Sequence, residues 1–246
     1  DLDDHAMNPS PAPALRLDGV AKRYGAHTAL ASLSLHLAHG EIYALLGPNG
    51  AGKTTTINLI LGFATADAGT IDVGGVRVDR APLEARAKLA YLPETVMLHP
   101  AFDAIENLRY FALLGGRRID ANTAAALLDE AGLQRDAHRR RAEGYSKGMR
   151  QKVGLAIALA KRAELLLLDE PTSGLDAAAA NDLTLGLRAA ASRGIAVLMA
   201  THDLYRVKDV ADRLGVLRGG TLVAEHATAT LDPSRIEALY LTQLAA

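Results

Sequence analysis

The chain has 246 residues and carries 27 Lys and Arg against 28 Asp and Glu, a formal net charge of −1. That length carries one full α/β core, and the balanced charge argues against nucleic acid or an anionic lipid surface as a partner. Cysteine is absent, which excludes disulfides and thiolate metal sites, and no apolar run approaches the ~18 residues that a membrane-spanning helix needs.

Residues 1–6 precede the first methionine, Met7, and are expected to be an expression remnant. Residues 8–13 are Pro-rich, so a flexible N-terminus is expected over 1–13. Residues 15–18 and 33–37 alternate in period two and read as half-buried strands. Between them lies Tyr24, next to Gly25. An aromatic there is either core or a stacking platform, and by itself it reads as core.

Residues 41–46, Glu-Ile-Tyr-Ala-Leu-Leu, form a short apolar run that reads as a buried strand. The next nine residues are Gly47, Pro48, Asn49, Gly50, Ala51, Gly52, Lys53, Thr54 and Thr55. They fit the phosphate-loop pattern G-x-x-x-x-G-K-[ST]. Glycines let the backbone curl so that its N–H groups face phosphate oxygens. Lys53 has the reach for the β- and γ-phosphates, the Thr54 hydroxyl suits Mg²⁺, and Thr55 adds a donor. Ile57, Ile60 and Leu61 follow at helical spacing, so the motif sits between a strand and a helix N-terminus, where the dipole favours anions.

Residues 70–73 and 76–78 flank Gly74-Gly75 and read as a hairpin. Residues 89–92 are a further strand, ended by Pro93-Glu94. Residues 96–102 are unusually apolar for a connection and are expected to dock a partner rather than to join the core. From 104 to 133 the pattern is helical, broken at Gly115-Gly116 and Gly132. A helical subdomain is therefore expected over about 95–150. Arg139 to Arg141 read as a solvated run.

Residues 145–151 read Tyr-Ser-Lys-Gly-Met-Arg-Gln and lead into a helix to about 162. Ser146 suits its N-cap, which is either an ordinary cap or an anion-binding position. Four leucines, 165–168, make a buried parallel strand that ends in Asp169-Glu170. Carboxylates at a strand's C-terminal end lie where open α/β sheets bind ligands. Asp169 is placed to hold Mg²⁺ beside Thr54, and Glu170 to accept a proton from attacking water. Residues 171–176 turn into a helix over 177–191, and a strand over 195–200 brings His202 to the same edge as Asp169. There His202 is expected to touch the γ-phosphate. Residues 213–218 and 221–224 form a last hairpin, and 233–244 a terminal helix.

In this order the motifs resemble the nucleotide-binding subunit of an ATP-binding-cassette (ABC) transporter, over nearly the whole chain. The resemblance implies an α/β fold of the P-loop NTPase kind, a RecA-like, mostly parallel sheet with an antiparallel β subdomain and a helical insert, spanning 14–246. It assigns Walker A to residues 47–55 and Walker B to 165–170. The signature falls at 145–149, the D-loop at 173–176 with Asp176, and the switch histidine at His202. Tyr24 falls at the adenine-stacking position, which reverses the core reading. Two departures stand out. Tyr-Ser-Lys-Gly-Met replaces Leu-Ser-Gly-Gly-Gln, so Ser146 and Gly148 are kept but Lys147 adds a positive charge. Glu94 replaces the Q-loop glutamine and adds a negative charge at a magnesium and water contact. Both resemble a bacterial exporter-type branch that includes ATPases of nitrous-oxide-reductase copper maturation and of gliding machinery.

The implied activity is hydrolysis of ATP with Mg²⁺, with Lys53, Glu170 and His202 catalytic and Thr54, Asp169 and Glu94 around the metal. The implied partners are a second copy in a homodimer, transmembrane permease subunits and a periplasmic protein, but no nucleic acid. The expected location is the cytoplasmic face of the bacterial inner membrane. A regulatory ATP-binding module is the rival reading, disfavoured by the presence of Lys53, Asp169, Glu170 and His202. A membrane-independent cassette ATPase is another, disfavoured by a single cassette of near-neutral charge.

Overall fold

The structure is a computed structural model that describes residues 12–231 and Ala238; the expected expression remnant and, Ala238 apart, the terminal helix expected over 233–244 fall outside them. Strands β1 (Leu15–Tyr24) and β2 (His27–Leu37) alternate buried and exposed side chains, so each turns one face to the core. β3 (Ile42–Leu46) is buried at every position and runs through the glycine loop into helix α1 (Lys53–Ile60). β4 (Ala68–Val73) and the short β5 (Val76–Arg77) pair across Gly74 and Gly75, whose φ values of 53° and 77° suit a tight primed turn. Helix α2 (Pro82–Ala87) leads into β6 (Leu89–Leu92).

The expected helical run resolves into α3 (Ala104–Leu114) and α4 (Ala121–Glu130), separated at Gly115-Gly116. Each starts on an aspartate. Asp103 accepts from the Glu106 amide while the Glu106 side chain takes the Asp103 amide, and Asp120 accepts from Thr123. Then come α5 (Lys147–Lys161), β7 (Leu165–Asp169), α6 (Ala177–Ser192), β8 (Ala196–Thr201), α7 (Leu204–Val210), β9 (Arg213–Arg218) and β10 (Thr221–Ala227). α2 and α7 are too short, at six and seven residues, to show a helical period in the sequence.

The strands sort into two sheets. The larger has the order β10-β9-β3-β8-β7-β6 and is parallel except for β10 at its edge. The smaller is antiparallel, in the order β2-β1-β4-β5. Period two divides the central strands between two cores. Ile42, Ala44 and Leu46 of β3, with Leu166 and Leu168 of β7, pack among residues of α3, α4, α5 and α6. Tyr43 and Leu45, with Leu165 and Leu167, pack toward α1 and the antiparallel sheet.

One expectation is corrected here. Residues 96–102 are not a docking surface throughout. Two of its apolar side chains reach the helical core, Val96 and Leu98 at 7% and 6% exposure, whereas Met97 between them is 76% exposed and residues 99–101 are exposed as well. Arg139 to Arg141 are exposed, as a solvated run should be.

Candidate nucleotide site

The parallel sheet delivers its functional groups at the carboxyl ends of β3, β7 and β8, the edge where such sheets bind ligands. After β3 the loop needs glycine for two reasons. Gly50 and Gly52 hold φ of 82° and 110°. A Cβ at Gly47 would lie 2.5 Å from the Leu217 carbonyl oxygen, and one at Gly52 would lie 2.6 Å from that of Ala29. Lys53 is 6% exposed. Its Nζ folds back along the loop and donates to the carbonyls of Gly47 (2.6 Å) and Pro48 (3.3 Å).

The acids meet the loop from β7. The Thr54 hydroxyl donates to Asp169 Oδ2 at 3.2 Å. Burial raises the Asp169 carboxyl above its ordinary range; the Thr54 hydrogen bond opposes this, the charges of Glu170 and Glu94 add to it, and Lys53 offsets it. A hydroxyl and a partly desolvated carboxylate side by side are hard oxygen donors, and this donor set fits Mg²⁺.

Glu170 is held from several sides. Its backbone is left-handed, with φ of 45°, an uncommon state for a non-glycine residue and one that collects at functional sites. Its Oε2 accepts from the Thr201 hydroxyl at 3.1 Å and the His202 amide at 3.3 Å. Its Oε1 lies 2.9 Å from His202 Nδ1 and 3.7 Å from Lys53 Nζ. Sequence reasoning placed His202 on a phosphate and overlooked Thr201. The structure adds a contact from His202 to Glu170, and a hydroxyl at the end of a buried strand was the available signal for Thr201.

Tyr24 is 49% exposed and stands on the wall of the same cleft as Asn49, Thr55 and Glu94. Its ring lies 5.2 Å below Lys22 Nζ. The core reading of Tyr24 is therefore wrong.

The remaining motif residues lie elsewhere. Ser146 caps α5 by accepting from the Met149 amide, and Asp176 caps α6 by accepting from Ala179. Gly148 lets α5 approach α6, since a Cβ there would sit 2.7 Å from that of Ala179. Ser146, Gly148 and Asp176 line a separate depression with Arg140 and Lys152. Lys147 alone among the signature residues reaches toward the phosphate cleft, its Nζ 3.6 Å from Glu94 Oε1. Two partners of Glu94 escaped sequence reasoning: Ser173, whose hydroxyl donates to Oε1 at 2.9 Å, and Gln151, which donates to the Glu94 carbonyl at 3.0 Å.

A glycine loop between strand and helix, with a lysine, a threonine and two strand-end acids converging on it, defines a P-loop nucleoside triphosphatase. The chain belongs to the ABC transporter family, whose sequence pattern matches residues 30–173. It is 39% identical over 228 residues to a Nod factor export ATP-binding protein of Paraburkholderia xenovorans, covering 92% of this chain and 75% of that one. A linearmycin resistance ATP-binding protein of Bacillus subtilis is 33% identical over 212 residues, covering 85% and 68%. A daunorubicin resistance ATP-binding protein of Streptomyces coeruleorubidus is 37% identical over 215 residues, covering 86% and 67%. Among solved structures, an ATP-binding subunit of an ABC transporter superposes with a TM-score of 0.78 at 30% identity, over 94% of this chain and 98% of that one. A dimeric ATP-binding cassette in a post-hydrolysis state, bound to ADP and phosphate, shares the fold with a TM-score of 0.77 at 24% identity, over 87% and 98%. The chain is an ATP-binding, ATP-hydrolysing subunit of the ABC type, with the α/β P-loop fold its motifs imply.

Proposed function

We propose that two copies of this chain close head to tail around two molecules of ATP and thereby drive a membrane-embedded export partner. One observation carries this reading: within a single chain, Ser146, Gly148 and Asp176 line a different depression from the cleft of Lys53, Thr54, Asp169 and Glu170. A two-fold pair would bring the depression of one copy over the cleft of the other, completing both sites at once. That a solved cassette of the same fold is dimeric supports pairing of two copies.

Each residue then has a defined task. The amides of residues 47–55 and the Lys53 ammonium bind the β- and γ-phosphates. The Tyr24 ring stacks on the adenine. Thr54 and Asp169, with Glu94 beside them, hold Mg²⁺, which supplies charge neutralisation at the phosphates. Glu170 accepts the proton of the attacking water. His202, 2.9 Å from that carboxylate, orients it and reaches the γ-phosphate. Ser146, Lys147 and Gly148 of the second copy approach the γ-phosphate from the far side, with Asp176 at the seam. Hydrolysis removes the group that both copies hold, so the pair reopens.

The export direction follows the names of the relatives, which are export and drug-resistance proteins. Among the described residues no helix is long and apolar enough to cross a membrane; the relatives' names, ATP-binding proteins of export and resistance systems, support a membrane path formed by partner subunits. They would dock on exposed apolar side chains such as Met97, placing this chain at the cytoplasmic face of the inner membrane. The relatives' names lend no support to a periplasmic partner, and none is included here.

Glu170→Gln tests the proposal. Gln keeps the size and one acceptor oxygen but cannot take a proton as a carboxylate does, so turnover should fall by ~10²–10⁴. Thr54 and Asp169 remain, so Mg·ATP should still bind, and gel filtration with Mg·ATP should show a dimer that Ser146→Arg abolishes. Near-normal turnover would remove Glu170 from the role of base. A dimer indifferent to Ser146→Arg would put the seam elsewhere.

A further inference from the structure

The two departures from the family's motifs that add a charge, Glu94 and Lys147, are in contact with each other. Glu94 follows β6 and lines the phosphate cleft, while Lys147 is the first residue of α5. Their charged atoms are 3.6 Å apart, with side-chain exposures of 52% and 33%. Neither charge is favourable without the other. A cation in the first turn of a helix opposes the helix dipole. A carboxylate at Glu94 adds negative charge to a cleft that already holds Asp169 and Glu170.

The contact joins three segments of the site. The same Glu94 oxygen accepts from the hydroxyl of Ser173, in the turn between β7 and α6. The Lys147 side chain runs over that turn: a Cβ on Gly174 would lie 3.6 Å from Nζ. Behind them Gln151, 1% exposed, donates to the carbonyls of Pro93 and Glu94. Thus α5 grips the backbone at Glu94 through Gln151 and the carboxylate through Lys147. Only the second grip can be exchanged for another anion, because Lys147 is partly exposed and long enough to swing.

We propose that Glu94 and Lys147 are a matched pair of positioning residues, a latch within one chain that Lys147 leaves for the terminal phosphate of the second copy's ATP when the pair closes. The hand-over rests on the head-to-tail reading; the latch itself does not. While latched, Glu94 is neutralised and the start of α5 is tied to the cleft of its own chain. On release, Lys147 brings its charge across the seam, and Glu94 is free to turn toward Thr54 and Asp169. Closure thus includes breaking one ion pair, which sets the ATP concentration at which it occurs.

The test is a double-mutant cycle of Glu94→Gln and Lys147→Gln, which separates their coupling from any direct effect of either. Glutamine at 94 keeps an oxygen for Ser173 and removes only the charge. The first readout needs no nucleotide: hydrogen exchange at the amides of Met149 and Arg150, which bond to Ser146 at the start of α5. Glu94→Gln should speed it about two- to fivefold when Lys147 is present, the range open to a partly exposed pair. It should have no effect when position 147 is Gln, and none in 1 M salt, where the Debye length is about 3 Å. The second readout is the Mg·ATP concentration for half-maximal dimer, measured in the Glu170→Gln background. Glu94→Gln should lower it about two- to fivefold further with Lys147 present than with Gln at 147, whatever its direct effect through the metal site.

Equal effects of Glu94→Gln in both Lys147 backgrounds, in both readouts, overturn the latch. Coupling in exchange but none in the ATP midpoint overturns the hand-over. Coupling in exchange while no variant dimerises overturns the head-to-tail reading, and the release step with it.

Discussion

At the scale of single residues, the site is a set of side chains made to wait on one another. The Lys53 ammonium is buried, within 3.3 Å of the carbonyls of Gly47 and Pro48 and 3.7 Å from Glu170. Phosphate oxygens are stronger acceptors than those carbonyls, so in the proposed role binding would exchange its partners at little cost in geometry. Lys53→Ala should weaken ATP binding by roughly ten- to a hundredfold, the range for a lost charge-assisted contact. Its nucleotide-free circular dichroism should match that of the parent, because the glycine φ values shape the loop. Titration of both proteins with Mg·ATP checks this, and unchanged affinity would displace Lys53 from the site. His202 gives a contrasting case. It is exposed, and Nδ1 lies 2.9 Å from Glu170. His202→Ala should therefore cost rate rather than affinity, on the order of 10² in turnover, with ATP binding close to that of the parent.

At the scale of elements, one buried asparagine holds the connection between β6 and α3. Asn107 is 0% exposed. Its Oδ1 accepts from the His99 amide at 2.7 Å, and its Nδ2 donates to the carbonyls of His99, Phe102 and Asp103 at 3.1, 3.3 and 3.0 Å. It substitutes for secondary structure in a stretch that has none. Asn107→Ala leaves buried backbone groups without partners and should cost about 1–3 kcal/mol in chemical denaturation. Mg·ATP affinity should hold, because the phosphate loop lies on another element. A loss of affinity matching the loss of stability would mean that the two elements are coupled.

At the scale of the molecule, function depends on surfaces that one chain leaves open. Met97 is 76% exposed beside the buried Val96 and Leu98. Met97→Asp should leave stability and basal ATP hydrolysis unchanged and abolish stimulation of that hydrolysis by the membrane subunits. Leu98→Asp, by contrast, buries a carboxylate in the helical core and should unfold the chain or lower its melting temperature sharply. A Met97→Asp protein still stimulated to the full extent would remove this side chain from the docking surface.

Local chemistry was written in the sequence; proximity was not. Residues 47–55 had to form a phosphate loop, because glycine spacing, lysine and threonine serve one ligand and act within a few residues of one another. The leucines at 165–168 had to be buried on both faces, and the structure shows them so. Capping, too, was readable at Ser146, because a cap bonds three residues along its own chain. Burial along an irregular stretch was not, so Leu98 was placed on the surface and Tyr24, taken alone, in the core. Glu94 and Lys147 stand 53 positions apart. Each looked like an isolated departure from a motif, and only the packing of α5 against the end of β6 brings the two charges within reach of each other. A side chain's identity is local, whereas the partner it meets depends on how distant segments pack.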